Sequence, residues 1–290
     1  MPLIPAFLKG RFHQPAVPAV LRREIVYRHR LPVRLWHWIN LVALIVMLGS
    51  GLQILNAHPR FYWNSRSSNA DMSVISFEAR TEGETLKGFT RVGRFEFETT
   101  GLLGASASAG QPAARGFPDW ATIPGYQNLA DGRLWHFFFA WVFAVNGLAF
   151  LLWSIARRHL ARDLLPDRDQ LKLRHIWHEV RDHARLRFAK GDEAKRYNIL
   201  QKATYLVVLL GLLPLMVGTG LAMSPGIDAA WPWLIDLFGD RQAARTLHFL
   251  AASSLVLFAL LHVALVVLSG LRNNVRSMIT GRYTIKHGDG

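Results

Sequence analysis

Two histidines, His248 and His262, sit in an uncharged apolar stretch, TLHFLAASSLVLFALLHVALVVLSGL, that runs from Thr246 to Leu271 between Arg245 and Arg272. Its 26 residues are enough to cross a bilayer as one helix. Fourteen residues at about 1.5 Å of rise put the two rings roughly 21 Å apart along the axis. At about 100° per residue they fall within about 40° of one face. Such a helix presents one imidazole near each side of the membrane. Ionisable groups within a span are rare and usually functional, and imidazole is a common axial ligand of haem iron. Two bis-histidine sites would need two more imidazoles from other spans.

Composition narrows the chemistry. The chain has 290 residues, 51% of them hydrophobic, and a formal net charge of +14. In a soluble chain that charge would suggest nucleic acid. Here the basic residues are segregated from the apolar ones, so the bilayer is the expected partner and nucleic acid is not. The absence of cysteine excludes disulfides, cysteine-ligated iron–sulfur clusters and covalent haem attachment. A haem must then be held non-covalently by histidine or methionine.

The spans that would position the histidines can be read in order. Residues 1–33 form a basic arm with Pro2, Pro5, Pro15 and Pro18, which argue against helix. No cleavable signal is expected there, so the first span stays as an anchor. Span 1 is 34–55, entered through Trp36 and Trp38 with His37 between them; Gly49 and Gly51 allow close approach of a helix or a flat ligand. Residues 56–132 are polar and balanced in charge. Within them SVISFEARTEGETLKGFTRVGRFEFETTG alternates like a hairpin, and ASASAGQPAARG reads as a flexible linker. Span 2 is 133–156, with His136 near its start. The 157–202 loop has thirteen Lys or Arg against seven Asp or Glu. Span 3, 203–224, has a kink expected at Pro214 and no histidine. A short interfacial segment, 225–245, precedes span 4 at 246–271, and a basic tail covers 272–290. Basic segments belong in the cytoplasm. The arm, the 157–202 loop and the tail therefore lie inside, with both termini. The expected fold class is an all-α integral membrane protein, a four-helix transmembrane bundle whose long external loop contains a candidate β-hairpin.

Depth then pairs the histidines. His136 follows Arg133 by three residues and His248 follows Arg245 by three, both at outer span starts. They could hold a haem near the outer face. His37 and His262 could hold a second near the cytoplasm. That inner match is looser, because His37 is three residues from Arg34 but His262 is ten from Arg272. A histidine at a span end can equally be an interface residue. The other eight histidines fall in loops or tails, and His175, His178 and His183 lie in an amphipathic, charge-rich stretch that suits a solvated face.

At these residues the chain resembles the bacterial cytochrome b561 family. The matching stretches are YRHRLPVRLWHWIN, GRLWHFFFAWVFAVNG, and RQAARTLHF followed by LLHV, with YNILQKATY, LPLMVGTGLAMSP and RSMITGRY as further matches. The resemblance implies a four-helix bundle in the bacterial cytoplasmic membrane with two b haems. Their ligands would be His37, His136, His248 and His262. It also implies electron transfer between the quinone pool and a catalytic oxidoreductase subunit, the closest likeness being to members that accompany molybdopterin enzymes. Haem propionates are anionic, so Arg34 inside and Arg133 and Arg245 outside are candidate partners. The same arginines could simply anchor span ends in the headgroups. Two other readings stay open: a stand-alone haem oxidoreductase acting on a small external molecule, and a histidine-lined metal or proton carrier. Asn40, Gln53 and Asn146 could serve a quinone site, or make helix–helix hydrogen bonds.

Overall fold

The computed structural model describes residues 22–63, 72–185 and 198–287. The expected irregular arm therefore lies largely outside the described residues, as do parts of the 56–132 and 157–202 loops. Four helices are long and apolar enough to cross a membrane: Leu31–Leu55, Leu129–Ala156, Ile199–Ala222 and Arg241–Leu268. Each begins a few residues before the expected boundary, because the capping residues lie outside the apolar run. Pro32 occupies the first turn of α1 (Leu31–Leu55). The Asn128 side chain accepts from the Ala130 and Asp131 amides and starts α2 (Leu129–Ala156).

The third span is composite. It opens as α4 (Ile199–Leu206) with an Asn198–Gln201 capping box, passes through a π-helical stretch at Val207–Leu212, and ends as α5 (Leu213–Ala222). Pro214 has no amide hydrogen to give and its ring would collide with the preceding turn. The wider register just ahead of it absorbs both faults. A charged helix, α3 (Leu173–Ala184), lies between α2 and this span. Short outer helices α6 (Pro225–Ala230) and α7 (Trp233–Asp236) lead to α8 (Arg241–Leu268), which is capped by Asp240. Gly270, at φ 116°, breaks the chain away into α9 (Leu271–Thr280). Main-chain packing joins the spans as two hairpins, α1 with α2 and α5 with α8. A mid-depth core of Ala43, Met47, Phe143, Met216, Ala251 and Leu255 fills the space between them.

Outside the spans the chain carries more strand than the one expected hairpin. On the inner side β1 (Arg22–Tyr27) pairs antiparallel with β8 (Arg282–His287), joining arm to tail. The Trp38 indole donates to the Met278 carbonyl at 3.0 Å and ties this assembly to α1. On the outer side, β2 (Arg60–Phe61), β3 (Ile75–Glu82), β4 (Thr85–Val92) and β5 (Phe95–Glu98) make one antiparallel sheet in that order. The expected hairpin is thus the middle of a four-stranded meander. Alternation sorts its faces. One carries ion pairs between Arg60 and Glu78 at 3.0 Å, Arg80 and Glu96 at 2.8 Å, and Lys87 and Glu82 at 2.9 Å. The Arg80 guanidinium holds the Glu96 carboxyl below its ordinary value. The other face carries Phe77, which meets Phe117 and Phe249 of α8.

The segment expected as a linker is a second hairpin, β6 (Ala105–Ser108) with β7 (Gln111–Ala114). Ala109 at φ 51° and Gly110 at φ 79° form its two-residue turn. Small residues give weak strand signals. What holds this hairpin is burial of Ala105 and Ser106 beneath the larger sheet, where Gly88 and Gly104 leave no room for a Cβ.

Buried polar contacts clamp the outer layer to the bundle. Asn56, just after α1, accepts from the Phe117 amide at 2.8 Å. Arg115, 1% exposed, donates to Gln53 of α1 at 3.0 Å and to Thr122 at 2.7 Å. Thr246 donates to the Tyr62 carbonyl at 2.7 Å. Asn56→Ala should leave the Phe117 amide buried and unpaired, at a cost of about 1–3 kcal/mol. The expected outcome is a lower melting temperature in detergent and faster proteolysis within residues 99–127.

Candidate haem-binding site

The structure brings the four span histidines together in two pairs. The ring centres of His136 and His248 are 6.3 Å apart, and so are those of His37 and His262. A metal–imidazole bond of about 2 Å plus roughly 1.15 Å from nitrogen to ring centre, taken twice, gives about 6.3 Å. Each pair therefore has the spacing that one metal between two imidazoles requires. In both pairs one ring comes from the α1–α2 hairpin and the other from α8, so the rings face each other across the seam between hairpins.

The loose inner match has a structural resolution. The fourth helix does not run on to Arg272; it ends at Leu268 and turns at Gly270. The first begins at Leu31. His262 thereby falls level with His37. Trp36 turns inward to stack on Phe150 at 4.5 Å, and Phe258 stacks on His262 at 5.7 Å.

Hydrogen bonds decide which nitrogen of each outer ring is free. His136 Nδ1 lies 3.1 Å from the Met47 carbonyl, which can only accept. It also lies 3.2 Å from Ser50 Oγ, whose own hydrogen goes to the Val46 carbonyl at 2.7 Å. His248 Nδ1 lies 2.8 Å from Thr219 Oγ1, which donates to the Leu215 carbonyl at 2.6 Å. The Met47 carbonyl fixes the proton on His136 Nδ1, and with the Thr219 hydrogen given to Leu215 the proton of His248 lies on Nδ1 too, which leaves both Nε2 lone pairs for a metal. His37 Nδ1 is buried without a hydrogen-bond partner among the described residues.

A bare metal ion fits less well than haem. Among the described residues no group of three or more His, Cys, Asp or Glu could hold a metal. Two nitrogens do not close a tetrahedral protein site, but they are the full axial set of an iron whose other four bonds come from a macrocycle. The residues present fit haem.

Sequence reasoning overlooks Ser50 and Thr219, although the signal is present. Met47–Leu52 reads MLGSGL and Met216–Leu221 reads MVGTGL. Each is followed in the next span by R-x-x-H, at Arg133–His136 and Arg245–His248. In both copies the glycine after the hydroxyl lies against the imidazole, where a Cβ would be in ordinary van der Waals contact. A Cβ on Gly51 would lie 3.4 Å from His136 Cε1, and one on Gly220 would lie 3.5 Å from His248 Cε1.

The three arginines diverge. Arg245 is drawn inward, its guanidinium donating to the His58 carbonyl and lying 5.3 Å over the Phe61 ring. Arg34 is half-buried, its Nε lacking a partner among the described residues. Arg133 is exposed. Asn40, Gln53 and Asn146 serve packing: Asn146 donates to Asn40 at 3.0 Å and to the Trp36 carbonyl at 3.2 Å, and Gln53 donates to the Tyr126 carbonyl at 2.9 Å. On α3, His175 and His178 face Glu179 and Asp182 one turn on, as a solvated helix face does. The side chain of His183 lies outside the described residues.

Four apolar spans with imidazoles paired across the seam define the class: a multi-pass membrane protein with a place for a flat, axially ligated cofactor. The chain belongs to the prokaryotic cytochrome b561 family, whose family model matches residues 28–281. Its similarity runs to electron-transfer proteins. A putative protein-methionine-sulfoxide reductase subunit YedZ1 of Azospira oryzae is 26% identical, over 86% of this chain and 94% of its own length. Probable Ni/Fe-hydrogenase B-type cytochrome subunits are 23% identical in Azotobacter vinelandii, over 86% of this chain and 82% of theirs, and 23% identical in Cupriavidus necator, over 91% and 88%. No solved structure matches the chain.

The Asn40–Asn146 contact should be worth about 0.6–1.7 kcal/mol, the range of hydrogen bonds between helices in a bilayer. A double-mutant cycle with Asn40→Ala and Asn146→Ala, read by unfolding in mixed micelles, should return a coupling of that size.

Proposed function

We propose that the protein is a di-haem b-type cytochrome subunit that passes electrons across the bacterial cytoplasmic membrane between the quinone pool and a catalytic oxidoreductase subunit. The observation that carries this is the pair of 6.3 Å imidazole spacings on opposite sides of a mid-depth core. Haem b, when bound, supplies a one-electron iron couple. His136 and His248 would hold it on the outer side, and His37 and His262 on the inner side. Held by two protein imidazoles, neither haem would be open to oxygen or substrate. That favours electron carriage over chemistry at the iron, and so a subunit over a stand-alone oxidoreductase.

The remaining roles belong to this chain's own groups. The Nδ1 contacts hold the outer rings in one tautomer and one plane. The hydrophobic core between the pairs excludes water from the path. Arg34 and Arg245 would meet the propionates by charge-assisted hydrogen bonds at the two ends, and exposed Arg133 would act from the headgroup region. The catalytic partner would dock outside, on the sheet of β2 to β5. Relatives named as hydrogenase and methionine-sulfoxide reductase subunits both support a catalytic partner. The resemblance favours a molybdopterin enzyme among these.

Purified protein should contain two haems per chain by pyridine haemochrome; a preparation with no Soret band sinks the reading. His136→Ala and His248→Ala should each lose the same haem, and His37→Ala and His262→Ala the other. Losses that divide the histidines differently would break the pairing. The basic segments put the termini inside. Because the chain lacks cysteine, single-cysteine labelling tests this directly: Glu84→Cys should label from outside in spheroplasts, and Arg168→Cys only after permeabilisation.

A further inference from the structure

The repeated hydroxyl–glycine dipeptides Ser50-Gly51 and Thr219-Gly220 each set a hydroxyl beside an outer imidazole. Each hydroxyl is fully buried at 0% exposure, although its helix gives it a carbonyl acceptor and packing alone would not require it. Each presents its lone pair to the Nδ1 hydrogen of one outer imidazole, from the helix packed beside that histidine. An imidazole whose N–H is held by an acceptor carries more negative charge on its other nitrogen, and so donates more strongly to a metal. That stabilises the ferric state over the ferrous one and lowers the potential. At the inner pair His37 differs: its Nδ1 is buried with no hydrogen-bond partner among the described residues.

Resting on the di-haem reading, we propose that Ser50 and Thr219 are positioning residues that fix the outer histidines and depress the potential of the outer haem alone. They act as symmetry-related members of one device, because the MLGSGL and MVGTGL stretches carry them at matching positions in the two hairpins. Their weights differ. Thr219 is the closer at 2.8 Å, while Ser50, at 3.2 Å, shares its ring with the Met47 carbonyl at 3.1 Å.

The test is a redox titration of the intact haem-loaded protein, with low-spin ferric resonance to separate the two haems. Thr219→Val keeps the volume and removes the acceptor. It should favour reduction of the outer haem on the order of tenfold, about 59 mV for a one-electron couple. Ser50→Ala should move the same haem in the same direction by less. Thr219→Ser should restore the original value, and the inner haem should not move in any variant. Loss of the outer haem from Thr219→Val but not from Thr219→Ser also supports the hydroxyl, since shape alone would not separate them so. Unmoved potentials, equal shifts in both haems, or Thr219→Ser behaving like Thr219→Val would overturn the proposal while leaving two haems in place. Wild-type protein without haem would instead overturn the reading beneath it.

Discussion

An imidazole has two ring nitrogens, and deep in a bilayer neither can be left to bulk water. Every polar group there must be satisfied from within the protein or by what the protein binds. That constraint organises the outer half of this molecule. One nitrogen of His136 and of His248 is spoken for by a carbonyl and a hydroxyl on the helix alongside. The other points into the seam between hairpins, where only the opposite ring and a bound group can meet it. Close helix pairing serves this end. Gly132 sits against Gln53 and Gly51 against His136, so α1 and α2 approach closely enough for a main-chain carbonyl to reach an imidazole on the neighbouring helix.

The same constraint gives the bundle its partial symmetry. Two helical hairpins, each reading M-x-G-[S/T]-G-L and then R-x-x-H, run in the same direction through the membrane and supply one outer ligand each. A parallel repeat of this kind relates the halves about an axis along the membrane normal. The inner pair departs from it, since His37 and His262 have no counterparts at matching positions of the other hairpin; Leu206 and Phe150 stand there instead. A binding position has been placed off the repeat, on the long helix that already carries His248. That spaces the two pairs by fourteen residues of one rigid element rather than by the packing of several.

How far the sequence can be read follows from the range of each signal. Uncharged runs of twenty or more residues are local and large, so the four helices are visible in it. The R-x-x-H spacing is local too, and places His136 and His248 at one depth. The inner pair is harder, because its depth depends on where α8 stops. Gly270, not Arg272, ends it, and no charge marks that point. The pairing of β1 with β8 links residues 255 to 265 positions apart through short strands that carry little periodic mark. The 105–114 hairpin is hidden for a different reason. Its alanines and serines have little strand preference, and burial under Gly88 and Gly104 imposes the conformation. Ser50 and Thr219 are plain in the sequence only once the two stretches are set side by side; singly, each is one more small residue in a span.

The external layer follows from the need to close the outer end. A short connection between α1 and α2 would leave the aromatic and polar side chains above the outer pair open to water. Here the connection folds back as a sheet whose apolar face meets Phe249, the residue after His248, through Phe61 at 4.2 Å and Phe77 at 6.1 Å. The sheet is held by buried polar clamps at Gln53, Asn56 and Thr246, not by apolar contact alone. Polar clamps are directional where apolar contact is not, so they fix the register of the cover over the ring pair. Arg115 shows what this costs. Burial pushes its pKa down, and Asp119 only partly compensates, so the cover tolerates a desolvated cation in exchange for three side-chain hydrogen bonds. A loop that merely joined two spans would have no use for such a residue; one that, on the proposed reading, held a fixed distance between an outer haem and a docked partner would.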